Sequence, residues 1–457
     1  MSAAAKYVAL FGLVAGSAAA ARAENLREAW QMALAANPAL QAEGLYANAA
    51  ALNLSAARRD RLPKARTFAI DAQLNRSPTL NVSQFGAPGG VGGALPFFAG
   101  QNQNNFPLSL TAISQPLYAG GRMRGAIDAA DADVRAQRAE QARAALDLKL
   151  AVADAYLGVL RAQQNLKLAD SDARRLGSFR DDVLNRQRVG MATRNEGLSA
   201  EVSLANARLR VIQSRTALDT AWATYNRYLM RPLDVVVPLA EISLPNGRAN
   251  VAALTTRALR TRPELSRLRQ AELTHLTGQA LGQRPELARL AHQARSLGAQ
   301  ARVARAATRP QVSVNGAYLF LGNNALANQN FWLAAATADW TLFDGGAARR
   351  RGQAFEEQQR AALRQQADLA AAVALEVRTR WLSYEEAQQR IVVSRVAVAQ
   401  AEENVNVVRD RYRQQLSTYT EVLDAERLRV QAQVDFSNAT YDAALAFFRL
   451  RRAVGDL

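Results

Sequence analysis

Three landmarks in the C-terminal half of this chain reappear in the N-terminal half at one constant spacing, and that spacing restricts the fold more than any other feature. Gln415, Glu421 and Arg427 lie 225 positions after Gly190, Glu196 and Val202. The segment Trp340-Thr341-Leu342-Phe343-Asp344-Gly345-Gly346 lies 225 after Gln115-Pro116-Leu117-Tyr118-Ala119-Gly120-Gly121, and Arg262-Pro263-Glu264-Leu265 lies 225 after Asn37-Pro38-Ala39-Leu40. The chain therefore reads as two copies of one unit, forming an interlocked body rather than a string of unrelated domains.

Composition supports long helices within each copy. Hydrophobic residues make up 49% of the 457, with only 7% aromatic, and the apolar residues are mostly Ala. Ala, Leu, Arg, Glu and Gln in long runs favour packed helices. Cysteine is absent, which excludes disulfides, thiolate metal sites and a cysteine nucleophile. The net charge of +17 rests almost entirely on Arg, because only Lys6, Lys64, Lys149 and Lys167 are lysines. Acidic residues are interleaved with the arginines, whereas a nucleic-acid binder concentrates its charge in a patch beside aromatics. No nucleic-acid partner is expected; a codon-composition bias toward Arg over Lys accounts for the charge, with a basic surface or lumen attracting acidic cargo as the sharper alternative.

Residues 1–23 have the pattern of a secretory signal peptide: Lys6, an apolar stretch, then Ala21-Arg22-Ala23. Glu24 rather than Cys follows, so there is no lipidation point. Beyond it no apolar run is long enough for a membrane helix. Residues 26–62 read as helix, capped at Asn37-Pro38. The period then changes to two. Phe68, Ile70, Ala72 and Leu74 alternate with Thr67, Ala69, Asp71, Gln73 and Asn75, and Phe106, Leu108, Leu110 and Ala112 alternate with Pro107, Ser109 and Thr111. Residues 77–105 between them read as loop. In the second copy, Val312, Val314, Gly316, Tyr318 and Phe320 form one apolar set, and Trp332, Ala334, Ala336, Ala338, Trp340 and Leu342 another. Such alternation over strands of about ten residues suits a transmembrane β-barrel better than a soluble sheet, although a soluble hairpin pair packed on helices shows the same alternation. Four strands cannot close a barrel, and lipid tolerates no open edge, so a membrane-spanning version must assemble with copies of itself.

The expected organisation is a first repeat over 24–230, with hairpin strands at about 64–117 and helices over 121–230. A linker covers 231–261. The second repeat covers 262–457, with hairpin strands at about 311–343 and helices over 347–454. Each long helical segment is interrupted once, at 189–195 and 414–418. Arg284-Pro285-Glu286-Leu287 repeats Arg262-Pro263-Glu264-Leu265, which marks 262–283 as an internal duplication and Pro285 as the helix start matching the first copy. His275 and His292, the only histidines, read as incidental surface residues.

Together these features resemble the TolC-like outer-membrane efflux and secretion duct family, in its unlipidated branch. The carriers are the leader, the duplicated order of elements, the QPLYAGG and WTLFDGG strand ends, and the block RYRQQLSTYTEVLDAE. The resemblance implies a mainly α fold with a transmembrane β portion, in which a homotrimer closes a twelve-stranded barrel continued by a long α-helical tunnel in the periplasm. It implies an outer membrane location in a Gram-negative bacterium, and partners in a periplasmic adaptor and an inner-membrane ABC or proton-driven transporter. The cargo is an exported protein or a small molecule. It also implies a gate: Glu421 and Asp424 at the constriction, their i, i+3 spacing placing both on one helix face, with Tyr412, Glu196 and Asn195 linking neighbouring hairpins. Carboxylates gathered there from three chains would bind cations or take up protons. The family's linking arginine falls on Ser417, with Arg411, Arg413 and Arg194 nearby to replace it. No paired base and nucleophile, phosphate loop or metal cluster occurs, so no enzyme activity and no cofactor are expected. The alternative from another class is a periplasmic coiled-coil scaffold without channel activity.

Overall fold

The computed structural model describes residues 23–73, 79–80, 95–96, 105–242, 263–322 and 328–457. The leader expected over 1–23 lies outside these but for Ala23, as do Leu74, Asn75, most of the 77–105 segment and most of the 231–261 linker. The elements are α1 (Leu26–Ala36), α2 (Pro38–Arg59), β1 (Lys64–Gln73), β2 (Thr79–Leu80), β3 (Leu95–Pro96), β4 (Asn105–Ala119), α3 (Arg122–Arg188) and α4 (Arg194–Leu229). After the linker come α5 (Pro263–Gln283), α6 (Pro285–Arg305), β5 (Gln311–Leu321), β6 (Asn330–Asp339), α7 (Ala347–Arg413) and α8 (Tyr419–Val454). The same order of helix, strand pair, long helix and returning helix thus occurs twice. α3 and α7 each have 67 residues, about 100 Å of helix at 1.5 Å per residue. No described helix is long and apolar enough to cross a membrane.

The chain divides into two compact units. One comprises 43–141 and 286–369. Its centre is an antiparallel sheet in the order β1-β4-β5-β6, so β4 and β5 join the two copies and β1 and β6 are the edges. The register sorts side chains onto two faces. On one, Phe68, Leu110, Leu319 and Phe331 form a continuous row, flanked by Ile70, Leu108 and Leu321 and by Ala112, Ala317 and Leu333. The other face carries Thr67, Thr111, Tyr318 and Trp332 in one row, with the Thr67 and Thr111 hydroxyls 3.1 Å apart.

This register corrects the apolar sets read from the second copy. Val312, Val314, Gly316, Tyr318 and Phe320, with Trp332, Ala334, Ala336 and Ala338, lie on the face opposite Phe68, Ile70, Leu108 and Leu110. The cause is that β5 alternates only in its first half, where Ser313 and Asn315 separate valines. From Ala317 to Leu321 both faces are apolar, so the sequence there has no phase to read. Trp340 and Leu342 are likewise not strand residues. β6 ends at Asp339 opposite Gln311, where β5 begins, and beyond it the chain has no ladder partner. The 77–105 segment is not wholly loop either: β2 and β3 pair within it. After each strand pair the chain turns into a long helix through paired glycines with positive φ, Gly120 and Gly121, and Gly345 and Gly346. At Gly120 a Cβ would come within 2.6 Å of the Arg309 Cβ.

The other unit comprises 1–42, 142–285 and 370–457. Its largest core joins α1, α3 and α4, with Ala29, Ala33, Val152, Tyr156, Val159, Trp222 and Tyr225 almost fully buried. Burying each large apolar side chain here contributes about 1.5–3 kcal/mol. The Tyr156 hydroxyl sits 2.6 Å from the Ala240 carbonyl oxygen and 2.8 Å from that of Glu24. It thereby holds the short parallel bridge between Glu24 and Leu239 against α3. The helix read over 26–62 is two helices ending at Arg59, because Pro38 interrupts it. The Asn37 side chain accepts from the Ala39 and Leu40 amides at 3.0 and 3.2 Å. The break between α5 and α6 is held differently: buried Arg284 donates to Glu376 Oε2 at 3.0 Å and to the Ala453 carbonyl at 3.1 Å.

Candidate functional site

The two interruptions of the long helical segments share one backbone design. α3 ends in a Schellman motif: Met191 N donates to the Arg186 carbonyl at 2.8 Å and Gly190 N to that of Gln187 at 3.1 Å. α7 ends likewise, Leu416 N donating to the Arg411 carbonyl at 2.8 Å and Gln415 N to that of Tyr412 at 3.1 Å. Gly190 takes φ +78° without penalty, but Gln415 takes φ +61° as a non-glycine residue, a left-handed conformation that costs about 1–2 kcal/mol. A threonine then caps each returning helix, Thr193 for α4 and Thr418 for α8.

This capping explains two of the expected site residues. Glu196 is the third residue of α4 and completes a capping box: its amide donates to Thr193 Oγ1, and its Oε2 accepts from the Thr193 amide at 3.1 Å. Glu421 holds the same position in α8, but its carboxylate is gripped by hydroxyls instead. Ser417 Oγ donates to Oε2 at 2.6 Å and Thr418 Oγ1 to Oε1 at 3.1 Å. These bonds, Ser417 first, hold the exposed Glu421 carboxyl below its ordinary range, with the Arg411 charge adding a little. Ser417, where an arginine was expected, is thus the main tether of the acidic group. A Thr-x-x-Glu pattern at both positions was present in the sequence and signalled these caps.

Asp424 lies one turn further along α8, on the same exposed face as Glu421. Arg427, also exposed, approaches it at 3.5 Å. The candidate constriction face therefore carries two carboxylates and one guanidinium per chain. Asn195 is exposed in the first turn of α4. Tyr412 is half-buried against Phe179, ring centroids 6.0 Å apart, with the Arg186 guanidinium 5.0 Å over its ring. Burial pushes its phenol up and the nearby Glu196 charge adds to this, with Arg186 opposing. Within one chain, then, Tyr412 and Glu196 are neighbours in charge, while the Glu196 carboxylate is used by the Thr193 cap.

Behind this surface lies a core that the sequence reading did not single out. Tyr419 is buried and stacks on Phe179 with centroids 5.5 Å apart and planes within 1°. Desolvation pushes its phenol up to about 12. Val183, Ala200 and Val422 complete the cluster, which pins α3, α4 and α8 together at the turns. Further along, buried Glu426 forms an ion pair with Arg409 at 2.5 Å and accepts from Arg429 Nη2 at 2.6 Å. Such charges are stable in low dielectric only because each is paired. Buried Asp172 on α3 is likewise held by Arg210 of α4 at 2.8 Å. The i, i+3 spacing of Glu426 and Arg429 was readable; their burial was not.

The fold defined by these elements is that of known outer-membrane channels. A membrane protein of Pseudomonas aeruginosa aligns with a TM-score of 0.76 at 19% identity, covering 94% of this chain and 90% of that one. The outer membrane protein VceC of Vibrio cholerae aligns with a TM-score of 0.75 at 17% identity, covering 94% and 96%. In sequence, the alkaline protease secretion protein AprF of Pseudomonas aeruginosa is 30% identical over 175 residues, 36% of this chain. The match spans only 35% of that relative's length. The outer membrane efflux protein family matches residues 29–229 and 276–456, one block for each copy, and the chain belongs to that family.

Proposed function

We propose that the chain is one protomer of a passive outer-membrane export duct, acting with a periplasmic adaptor and an energised inner-membrane ABC or proton-driven transporter. The observation that carries this reading is the four-stranded sheet: one face is apolar over four strands, and both edges, β1 and β6, have no outer ladder partner among the described residues. Three copies, each pairing its β6 with the next protomer's β1, would close a twelve-stranded barrel and leave no backbone group unpaired in lipid. The row through Phe68, Leu110, Leu319 and Phe331 then faces the hydrocarbon.

At the helix ends, Glu421 and Asp424 line the constriction, and Tyr412, Glu196 and Asn195 lie where neighbouring protomers meet. With Ser417 tethering Glu421, the link between protomers falls to Arg411, Arg413 or Arg194. The carboxylate ring binds cations. The likeness to AprF favours a protein as cargo over a small molecule. Fractionation tests the reading: heat-modifiable trimers in the outer membrane support the duct, and soluble periplasmic protein supports the coiled-coil scaffold instead.

A further inference from the structure

The duct reading leaves most of the +17 charge without a role. Four stretches of the sheet-bearing unit, at the junctions of strands with helices, are 56–66, 118–124, 302–311 and 339–351. They hold thirteen of the Lys and Arg residues against three Asp and Glu, so ten of the seventeen net charges gather there. The stretches are knitted together. Arg309 donates to the Gly120 carbonyl at 3.1 Å and Trp340 Nε1 to the Thr308 carbonyl at 3.2 Å, while Gln115 Nε2 of β4 holds the Arg61 carbonyl at 2.8 Å.

The acidic residues among them are mostly engaged. Asp60 pairs with Lys64 at 2.8 Å, and the Asp344 carboxylate accepts from the Gly346 and Ala348 amides at the start of α7. Arg58, Arg59, Arg61, Arg66, Arg349 and Arg351 are exposed and have no ion pair among the described residues. Lys64, Arg66 and Arg122 also line a cleft of about 750 Å³, whose acidic members are Asp60 and Asp339.

Two further observations say what this charge meets. Down the apolar sheet face, Ile70 and Phe68 give way to Arg66 and Lys64 on β1, and Leu321 and Leu319 give way to Asn315 and Ser313 on β5. Beyond the end of β6, Trp340, Leu342 and Phe343 are 61%, 77% and 84% exposed outside any strand, and Leu117 and Tyr118 are exposed near the same end of β4. Apolar wall, exposed aromatics and unpaired guanidinium groups in succession are the profile of a bilayer seen from hydrocarbon to headgroup.

We propose that this collar binds anionic phospholipid headgroups of the periplasmic leaflet. Arg and Lys meet the phosphates, and Trp340, Leu342 and Phe343 sit at the acyl boundary. The inference rests on the duct reading, because it requires the sheet to span the membrane. Guanidinium groups suit phosphate through two-pronged hydrogen bonds, and each basic side chain near an anionic surface adds to the attraction. Closing the barrel would bring residues 58–66 of one protomer beside 349–351 of the next, joining two half-collars.

Native mass spectrometry of the detergent-purified full-length protein tests it, with added dioleoyl-phosphatidylglycerol or dioleoyl-phosphatidylcholine. The wild type is expected to retain phosphatidylglycerol preferentially. Arg349→Gln/Arg350→Gln/Arg351→Gln should weaken that retention at least tenfold, and the corresponding triple Lys variant should restore it. Equal retention of the two lipids, or undiminished phosphatidylglycerol binding by the Gln variant, would overturn the proposal. So would displacement of the bound lipid by millimolar inorganic phosphate, which would mark an anion site rather than a lipid surface. If the Gln variant does not run as a heat-modifiable trimer, Arg61→Gln/Arg66→Gln provides the same comparison. A wild type that yields no membrane-inserted trimer overturns the duct reading and the collar with it, whereas a membrane-inserted trimer without the lipid preference overturns the collar alone.

Discussion

The hydroxyl of Ser417 lies 2.6 Å from Oε2 of Glu421 and is the main reason that carboxyl stays charged below its ordinary range. A depressed carboxyl favours the folded tip above its unfolded pKa and loses that contribution as pH falls through the folded value. The Ser417→Ala variant should take up its proton at higher pH. In planar bilayers, the midpoint at which acidification abolishes cation selectivity should move upward; an unchanged midpoint would mean that Glu421 does not set it.

Gln415 adopts φ +61° where the other copy has Gly190. Replacing it with glycine should relieve left-handed strain and stabilise the turn by up to about 1 kcal/mol. Gly190→Ala should cost about as much. Hydrogen exchange of the amides at 411–418 and 186–193 should slow in the first variant and speed up in the second.

Removing Glu426 leaves buried Arg429 and partly exposed Arg409 without their acid. Glu426→Gln should destabilise the chain by about 3 kcal/mol or more, as expected for half of a buried pair. Arg427→Ala, which breaks an exposed contact to Asp424, should change stability by less than about 1 kcal/mol. Thermal melts of the two variants in detergent compare these costs directly.

The sheet assignment predicts an asymmetry. Leu319→Arg, on the apolar face, should cost about 2–4 kcal/mol in a bilayer and reduce outer-membrane trimers. Thr111→Arg, on the opposite face, should assemble normally and alter conductance. Equal loss of both would mean that the faces are not divided between lipid and lumen.

Much of this was legible because helices and strands carry their period in the sequence. The duplication, the helix start at Pro285 and the alternation around Phe68 and Leu110 are local patterns. The phase of β5 was not legible, because the run from Ala317 to Leu321 is apolar on both faces and only the pairing with β4 decides which side is which. The site shows the same division. Glu421 and Asp424 share a face by spacing alone. The tether from Ser417 and the burial of Glu426 depend on side-chain placement that no linear pattern encodes.

The central claim is an assembled duct with an acidic entrance, and single-channel conductance of the purified protein in planar bilayers tests it most directly. Wild type should give small, cation-selective currents blocked by divalent cations, and Glu421→Ala/Asp424→Ala should pass current with markedly weaker block. Folded trimers that conduct nothing, or a double variant blocked as strongly as wild type, would contradict it.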